Sequence, residues 1–228
     1  MTSAARWVGL GFIVAALHAA SGCAQAPAPP SSRPSTTPAI PAIVSADTTG
    51  AALIPAGFGS LRQDAIAITL SLPDMLVRLT PLDESVIRTL SSDSYRALRE
   101  LADSRKPAIT RLAAQHGLLR GSLWTVSFYG LTRDARFSPL DVTITSAGRD
   151  YRPVEVIPIS SGFGEQRLQP RETQSALYLF DDALDVNQPL AVSLGTTRST
   201  AWSTTTLRTI ERERALIRSR AQSRPATP

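Results

Sequence analysis

Short runs in which apolar residues occupy every second position are the feature that most constrains the fold of this chain. The first two runs are Ile66, Ile68, Leu70 and Leu72, then Met75, Val77 and Leu79. Because successive side chains of a β-strand point to opposite faces, this spacing predicts strands that bury one face. Pro73 and Asp74 separate the two runs, and both residues favour turns. The segment therefore predicts a β-hairpin.

A helical period replaces this alternation over residues 83–117. Ser92 or Asp93 can cap one helix there, because their side-chain oxygens accept bonds from free backbone N–H groups. Pro107 suits the first turn of another helix, which Gly117 would end. We therefore predict a helical insert of several short helices after the first hairpin.

The spacing of two returns after Gly121. The candidate strands that follow contain Trp124 to Phe128, Leu140 to Ile144, Val154 to Ile159, Ala176 to Phe180 and Leu190 to Leu194. Gly162-Phe163-Gly164 predicts a hairpin tip, with the Phe163 ring partly buried. About seven short strands at this spacing are typical of an antiparallel β-sandwich. The predicted fold class is therefore mainly β with a helical insert, an α+β chain.

A last helix is predicted near residues 205–218, where Thr204 or Thr205 can act as its N-cap. Arg212 and Arg214 interrupt its apolar face, so we expect a helix that frays after Arg218. The domain would then span residues 59–203, and residues 204–228 would form a basic helical tail.

The N-terminal segment, residues 1–22, has the organisation of a secretion signal. One basic residue, Arg6, precedes an apolar run from Trp7 to Ala20. That run is shorter than the roughly 20 apolar residues that a permanent membrane span needs. It is followed by Cys23, which is the chain's one cysteine, so no internal disulfide can form. The segment therefore predicts a cleaved signal.

The four residues Ala20-Ser21-Gly22-Cys23 resemble the bacterial lipobox, although Leu is commonest where Ala20 stands. The resemblance implies cleavage before Cys23, a diacylglyceryl group on its sulfur and an acylated amino terminus. Two or more acyl chains are what stable anchoring requires. The residue after the cysteine is Ala24 and not Asp. In this respect the chain resembles Gram-negative lipoproteins that are sent on to the outer membrane and face the periplasm. The expected location is thus the cell envelope.

Residues 23–58 predict a tether between the lipid and the domain. Six prolines fall within residues 24–41 among Ala, Ser and Thr. Such a stretch cannot bury enough apolar surface to fold, and its prolines favour extended polyproline II. At about 3.1 Å per residue it could reach roughly 55 Å. The strand pattern of residues 123–195 resembles the immunoglobulin-like accessory domains of bacterial envelope lipoproteins, which implies an immunoglobulin-like sandwich.

The basic residues are concentrated at the C-terminus. The net charge is +5, and removal of Arg6 with the signal leaves +4 on the mature chain. The residues after position 207 include six arginines and two glutamates, which is also +4, so the rest of the mature chain is neutral overall. Lys106 is the only lysine beside 23 arginines, a bias that indicates genome composition and not nucleic-acid binding. The tail could contact an anionic surface or could be a disordered end. Its arginines are Arg208, Arg212, Arg214, Arg218, Arg220 and Arg224.

Catalytic signatures are sparse. The mature chain holds one histidine, His116, which sits beside a helix-ending glycine and suits a capping or surface role. Asp181, Asp182 and Asp185 lack the spacing of a calcium loop and predict a solvated turn. We therefore expect no enzyme activity, cofactor or metal. The hypotheses are a non-enzymatic module that binds a partner protein, a binding protein for a small ligand or a polymer such as peptidoglycan, and a carboxylate-based hydrolase.

Overall fold

The computed structural model describes residues 54–223. Its strands are β1 (Ile68–Ser71), β2 (Met75–Pro81), β3 (Ser122–Gly130), β4 (Ala135–Arg136), β5 (Val142–Ser146), β6 (Arg149–Tyr151), β7 (Glu155–Pro158), β8 (Arg167–Leu168), β9 (Thr173–Phe180), β10 (Leu190–Leu194) and β11 (Thr197–Ser199). Its helices are α1 (Glu84–Ile87), α2 (Ser92–Gln115) and α3 (Leu207–Ser223). The fold is thus β-rich α+β.

The strands form antiparallel sheets. One sheet has five strands in the order β1-β2-β3-β9-β7, a second has four in the order β11-β10-β5-β6, and β4 pairs with β8. The predicted hairpin is confirmed, because Leu70 in β1 pairs with Val77 in β2. Strand β2 then pairs with β3 across the whole helical insert, with Leu79 opposite Val126. The insert therefore leaves the sheet uninterrupted.

The core is filled by aromatic side chains. Trp124 is fully buried, and its ring centroid lies 5.9 Å from that of Trp202. The indole N–H of Trp202 donates to the carbonyl of Val186 at 3.0 Å. At the other end, the rings of Phe128 and Phe137 stack with centroids 4.2 Å apart. Both tryptophans are therefore core residues with their polar atoms satisfied.

Helix α2 contributes its apolar side to the same core. Leu98 is 5% exposed, and Leu101 and Ile109 pack against the cluster that contains the sheet residues. Leu98 and Leu101 are three residues apart, and Ile109 follows Leu101 after about two turns, so the three share one side of the helix. Pro107 lies on the solvent side.

The prediction of two helices between Ser92 and Gly117 is wrong, because α2 is one helix of 24 residues that contains Pro107. A proline inside a helix lacks an N–H and its ring crowds the carbonyl four residues earlier, here that of Asp103. Asp103 and Pro107 are both exposed, so water can satisfy the carbonyl that the proline leaves free. Gly117, with φ +69°, follows the helix end as predicted.

Two predictions for the loops are also wrong. Leu140 was expected in a strand, but it lies in a 3₁₀ turn over Pro139–Asp141 and is 59% exposed, because β5 begins at Val142. Gly162 and Gly164 were expected at a hairpin tip. They lie in a 3₁₀ turn over Ser161–Glu165 that holds Phe163 in the core at 3% exposure.

The entry segment, residues 54–60, is packed against the domain, although the sequence placed most of it in the tether. Ile54 is 1% exposed. A Cβ on Gly59 would come within 2.3 Å of the backbone carbonyl carbon of Thr89, so only glycine allows this approach. Leu61 continues the contact by donating its N–H to the Thr89 carbonyl at 3.1 Å.

Helix α3 is longer than predicted and docked on the domain. It runs to Ser223, so the expected fraying after Arg218 is wrong. A π-helical turn over Trp202–Thr206 precedes it, so neither Thr204 nor Thr205 is an N-cap. Tertiary contacts hold the helix, and they are described below. Within residues 54–223, no helix has the length and apolar character needed to cross a membrane.

Candidate functional site

The outer face of the five-stranded sheet is half covered and half open. In the covered half, one residue from each of three neighbouring strands is buried, and the three lie side by side: Thr80, Thr125 and Leu177. Their side chains are on the face of the sheet opposite to that of Trp124 and Phe128. Leu177 belongs to the same buried apolar cluster as Leu98 of α2. The next row is open to solvent and crosses four strands. Its members are Thr69, Arg78, Ser127 and Ser175.

The open half of the face, which we call the open face, forms a shallow groove of about 360 Å³. Its lining residues are Gln63, Thr69, Leu76, Arg78, Ser127, Tyr129 and Thr173. The hydroxyls of Ser127 and Ser175 lie 2.8 Å apart, so a hydrogen bond fixes them side by side. Arg78 is exposed, and no ion pair in residues 54–223 involves it. The open face thus offers hydroxyls, a guanidinium and the Tyr129 ring.

A second concave region, the end cleft, lies at one end of the sheets and measures about 470 Å³. Three stretches of chain line it. They are residues 82–85 at the start of α1, residues 119–123 before and within β3, and residues 182–187 between β9 and β10. Its charged groups are Asp83, Glu84, Asp182, Asp185 and Arg120. Four carboxylates against one guanidinium make the cleft acidic.

The carboxylates of the end cleft are used as local hydrogen-bond acceptors. Asp83 caps α1, because its Oδ1 accepts from the Ser85 N–H at 2.8 Å and from the Ser85 hydroxyl at 2.5 Å. Asp185 Oδ1 accepts from the backbone N–H of Asn187 at 2.8 Å, and Asp182 Oδ2 accepts from that of Leu119 at 3.3 Å. These bonds shape the cleft walls.

Glu84 has arginine partners. Its Oε2 accepts from Arg88 Nε at 2.6 Å, and its Oε1 contacts Arg99 Nη1. The hydrogen bond from Arg88 to Glu84 raises the pKa of that guanidinium above its ordinary value. Arg88 also donates to the carbonyl of Ile54 at 3.2 Å. Glu84 therefore links α1 to α2 through Arg99, and its partner Arg88 links α1 to the entry segment.

A buried guanidinium bonds to two of the residues that line the end cleft, Ser85 and Asn187. Arg214 is 3% exposed, and its Nη2 donates to the Ser85 carbonyl at 2.8 Å and to Asn187 Oδ1 at 2.7 Å. Its Nη1 donates to Glu211 Oε1 at 2.6 Å. Because a buried charge is tolerated only when it is paired and hydrogen-bonded, this network is what allows Arg214 inside the fold. Arg214 does interrupt the apolar face of α3, as the sequence predicts, but it is buried in the docked side of the helix, so the predicted contact of Arg214 with an external anionic surface is wrong.

A nucleophilic site needs a base beside the nucleophile, and histidine is the commonest base. In the end cleft the Ser85 hydroxyl donates to the Asp83 carboxylate, and neither concave region has a histidine among the described residues that line it. The His116 side chain lies elsewhere, with Nε2 3.3 Å from Glu155 Oε2. His116 caps the C-terminus of α2, as predicted. No group of three or more His, Cys, Asp or Glu in residues 54–223 is arranged to hold a metal ion.

The structure separates the residues that the sequence had singled out. Cys23 lies outside the described residues. Asp181 is in the turn after β9, where its Oδ1 accepts from the Ala183 N–H at 2.8 Å, so the predicted turn is confirmed. Arg208 and Arg212 are exposed on α3, whereas Arg214 is buried and unavailable to any external surface.

Sequence reasoning missed both concave regions. The end cleft joins segments about 100 residues apart, and the open face joins side chains from four strands. One signal was available for the second, since Thr69, Arg78 and Ser127 alternate with the apolar positions of their strands. That these three residues lie next to one another follows only from the register of the strands, which the alternation alone does not give.

Comparison with known proteins gives no relative: no family model matches the chain, and no curated protein or solved structure matches it significantly.

Proposed function

We propose that this protein is a lipid-anchored lipoprotein of the bacterial cell envelope whose β-rich domain binds a partner protein and catalyses no reaction. The observation that carries the proposal is the segment Ala20-Ser21-Gly22-Cys23 placed between an apolar run and a proline-rich stretch. A chain of this kind would let its domain reach up to tens of ångströms from the bilayer, within reach of other envelope proteins.

The open face is the surface that best fits a protein partner. Tyrosine and arginine are enriched among residues that dominate binding energy at interfaces. Tyr129 and Arg78 stand on adjacent strands here, beside Leu76. A sheet holds these side chains on a rigid frame, which limits the entropy lost when a partner binds.

The finer fold is part of the same proposal. We propose that residues 123–195 form an immunoglobulin-like accessory module. Two antiparallel sheets that share one apolar cluster support this idea, as does Trp124 at the centre of that cluster. A different strand pairing measured in solution would overturn this part and leave the anchor proposal unaffected.

The anchor is tested by intact mass and membrane fractionation of the natively expressed protein beside a Cys23→Ser variant. The expected wild-type mass is that of a chain that starts at Cys23 and carries added acyl groups. The variant should lose the acyl mass and leave the membrane fraction. An unmodified wild type in the soluble fraction would show that the anchor is absent.

The partner is tested by placing a photo-crosslinking amino acid at position 129 of the anchored protein. The matched control places it at position 198, an exposed site in β11 on the other sheet. Adducts of defined mass from position 129 alone would support the open face as an interface. Adducts from neither position, together with turnover in an activity screen, would overturn the non-enzymatic proposal.

The second candidate is a binding protein for an envelope polymer such as peptidoglycan. The hydroxyls of Thr69, Ser127 and Thr173 around the Tyr129 ring favour it, because polar groups beside an aromatic ring suit sugars and peptides. An enclosed apolar ligand is less suited, since aromatic rings fill the core. Co-sedimentation with purified peptidoglycan separates the two candidates, and Tyr129→Ala should abolish it if the polymer binds here.

A further inference from the structure

Helix α3 has one side that the domain does not use. Its buried residues are Ile210, Glu213, Arg214 and Ile217. At 100° per residue, Arg208 and Arg212 lie opposite these positions, and Arg218 lies at the flank. All three are exposed, and no ion pair within residues 54–223 includes any of them. Leu216, 45% exposed, lies beside them.

The other charges of the helix are compensated within the fold. Arg214 is paired with Glu211, and Arg220 with Glu213 at 2.8 Å. The helix carries five arginines and two glutamates, so its net charge of +3 falls on Arg208, Arg212 and Arg218. The salt bridges therefore leave Arg208, Arg212 and Arg218 as the uncompensated charges of the helix, and all three are exposed to solvent.

The entry segment lies beside this helix. The backbone N–H and the hydroxyl of Ser60 both donate to Glu213 Oε1 at 2.9 Å. Arg220 donates to the carbonyl of Phe58 at 2.9 Å. The entry segment therefore runs beside the C-terminal half of α3 at Phe58 and Ser60.

We propose that the exposed side of α3 is a second membrane contact, which lies against anionic lipid head groups of the bilayer that holds the lipidated Cys23. The inference rests on the proposed lipid anchor. Each arginine near an anionic surface strengthens binding about fivefold, so three give roughly 100-fold. A gain of this size gives only weak membrane binding to a protein that has no anchor. Tethering to the same bilayer raises the local concentration of the domain into the millimolar range, where a weak contact becomes occupied.

The test uses the mature chain with Cys23→Ser, which carries no acyl group, and vesicles that contain 30% phosphatidylglycerol in phosphatidylcholine. We expect its partition onto these vesicles to exceed that onto pure phosphatidylcholine and to fall as salt is raised, because salt screens the attraction. The triple variant Arg208→Gln, Arg212→Gln, Arg218→Gln should lower the partition on the order of 100-fold.

The matched control removes three exposed arginines elsewhere, with Arg105→Gln, Arg111→Gln and Arg152→Gln. It changes the net charge equally and should keep most of the binding. An equal loss in both triple variants would overturn the proposal, because net charge alone would then explain the binding. Equal binding to phosphatidylcholine would overturn it as well. Circular dichroism of both variants verifies that α3 remains helical.

A second measurement supplies the anchor chemically, so that its outcome does not depend on native lipidation. The Cys23 thiol of the mature chain is coupled to a maleimide lipid in the same vesicles, and exposed guanidinium groups are modified with phenylglyoxal. Arg208 and Arg212 should be protected on anionic vesicles relative to neutral ones, with Arg105 unchanged as reference. Equal modification on both surfaces would disprove the contact, even if fractionation establishes the anchor.

Discussion

Helices α2 and α3 are both long and rich in arginine, yet they pack by different means. The most buried side chains of α2 are Leu98 and Ala113, and its charged groups are at the surface. The centre of the buried side of α3 holds Glu213 and Arg214 beside two isoleucines. An interruption of an apolar stripe therefore does not show that a helix is undocked. It is compatible with docking when backbone carbonyls and side-chain oxygens are available to the charge.

The largest effect is expected for Arg214→Ala. It would leave the Ser85 carbonyl and the Asn187 amide without their partner and would remove a buried stem, so we expect a loss of about 3 kcal/mol in unfolding free energy. Urea unfolding of the Cys23→Ser chain measures it. Arg212→Ala, two residues earlier and exposed, is the control and should change stability by less than about 0.5 kcal/mol. Similar values for both would show that Arg214 does not dock the helix.

Leu98→Ala tests the apolar docking of α2. Truncation of a buried leucine costs roughly 2–3 kcal/mol when the site partly relaxes, as a helix over a sheet can. Leu119, 92% exposed, provides the control, because Leu119→Ala should be nearly neutral. The same urea measurement applies. A negligible effect of Leu98→Ala would mean that α2 is not held by its apolar side.

Pro107→Ala should stabilise α2, because it restores a helical N–H and removes the crowding of the Asp103 carbonyl. The gain is expected to be about 1–2 kcal/mol, less than the full helix penalty of proline, since alanine also frees the unfolded chain. Lys106→Ala is the control, at an adjacent exposed position. A rise in the midpoint of thermal unfolding for Pro107→Ala alone is the expected result, and a fall would contradict it.

Tyr178→Phe should have the smallest effect at neutral pH, under about 1 kcal/mol. The Tyr178 hydroxyl is buried without a hydrogen-bond partner, in contrast to the satisfied charges of α3, so its removal leaves no donor or acceptor unpaired. Burial raises the pKa of this hydroxyl above its ordinary value of 10.0. The folded chain then keeps a proton that the unfolded chain loses above about pH 10.

The wild type should therefore lose stability as pH rises above about 10, by up to roughly 1.4 kcal/mol per pH unit. Tyr178→Phe should lack this loss, whereas Tyr129→Phe on the open face should retain it. Unfolding free energies at pH 8, 10 and 11 test the difference. Parallel pH profiles for all three proteins would rule out Tyr178 as the group responsible.

The predictable parts of the fold were those set by local spacing. The hairpin β1-β2 and the strand Leu190–Leu194 follow from alternation and turn residues alone. The sequence predicts a helix start at Pro107, but a proline on the solvent-exposed side of one continuous helix has the same pattern of neighbouring residues. The sequence predicts Leu140 in a strand because the residue fits the apolar alternation, but it lies in a 3₁₀ turn that exposes its side chain to solvent.

The sequence by itself determined the β-rich α+β class, the segment that resembles a lipobox and the concentration of basic residues at the C-terminus. Only the tertiary structure decided which arginines of that end are internal and which are free. Arg214 and Arg212 are chemically identical and two residues apart. Their difference comes from the Ser85 carbonyl and Asn187, which lie far away in the chain and reach Arg214 only after folding. Local sequence carries no record of such partners, because hydrogen bonds between distant segments depend on how whole elements pack.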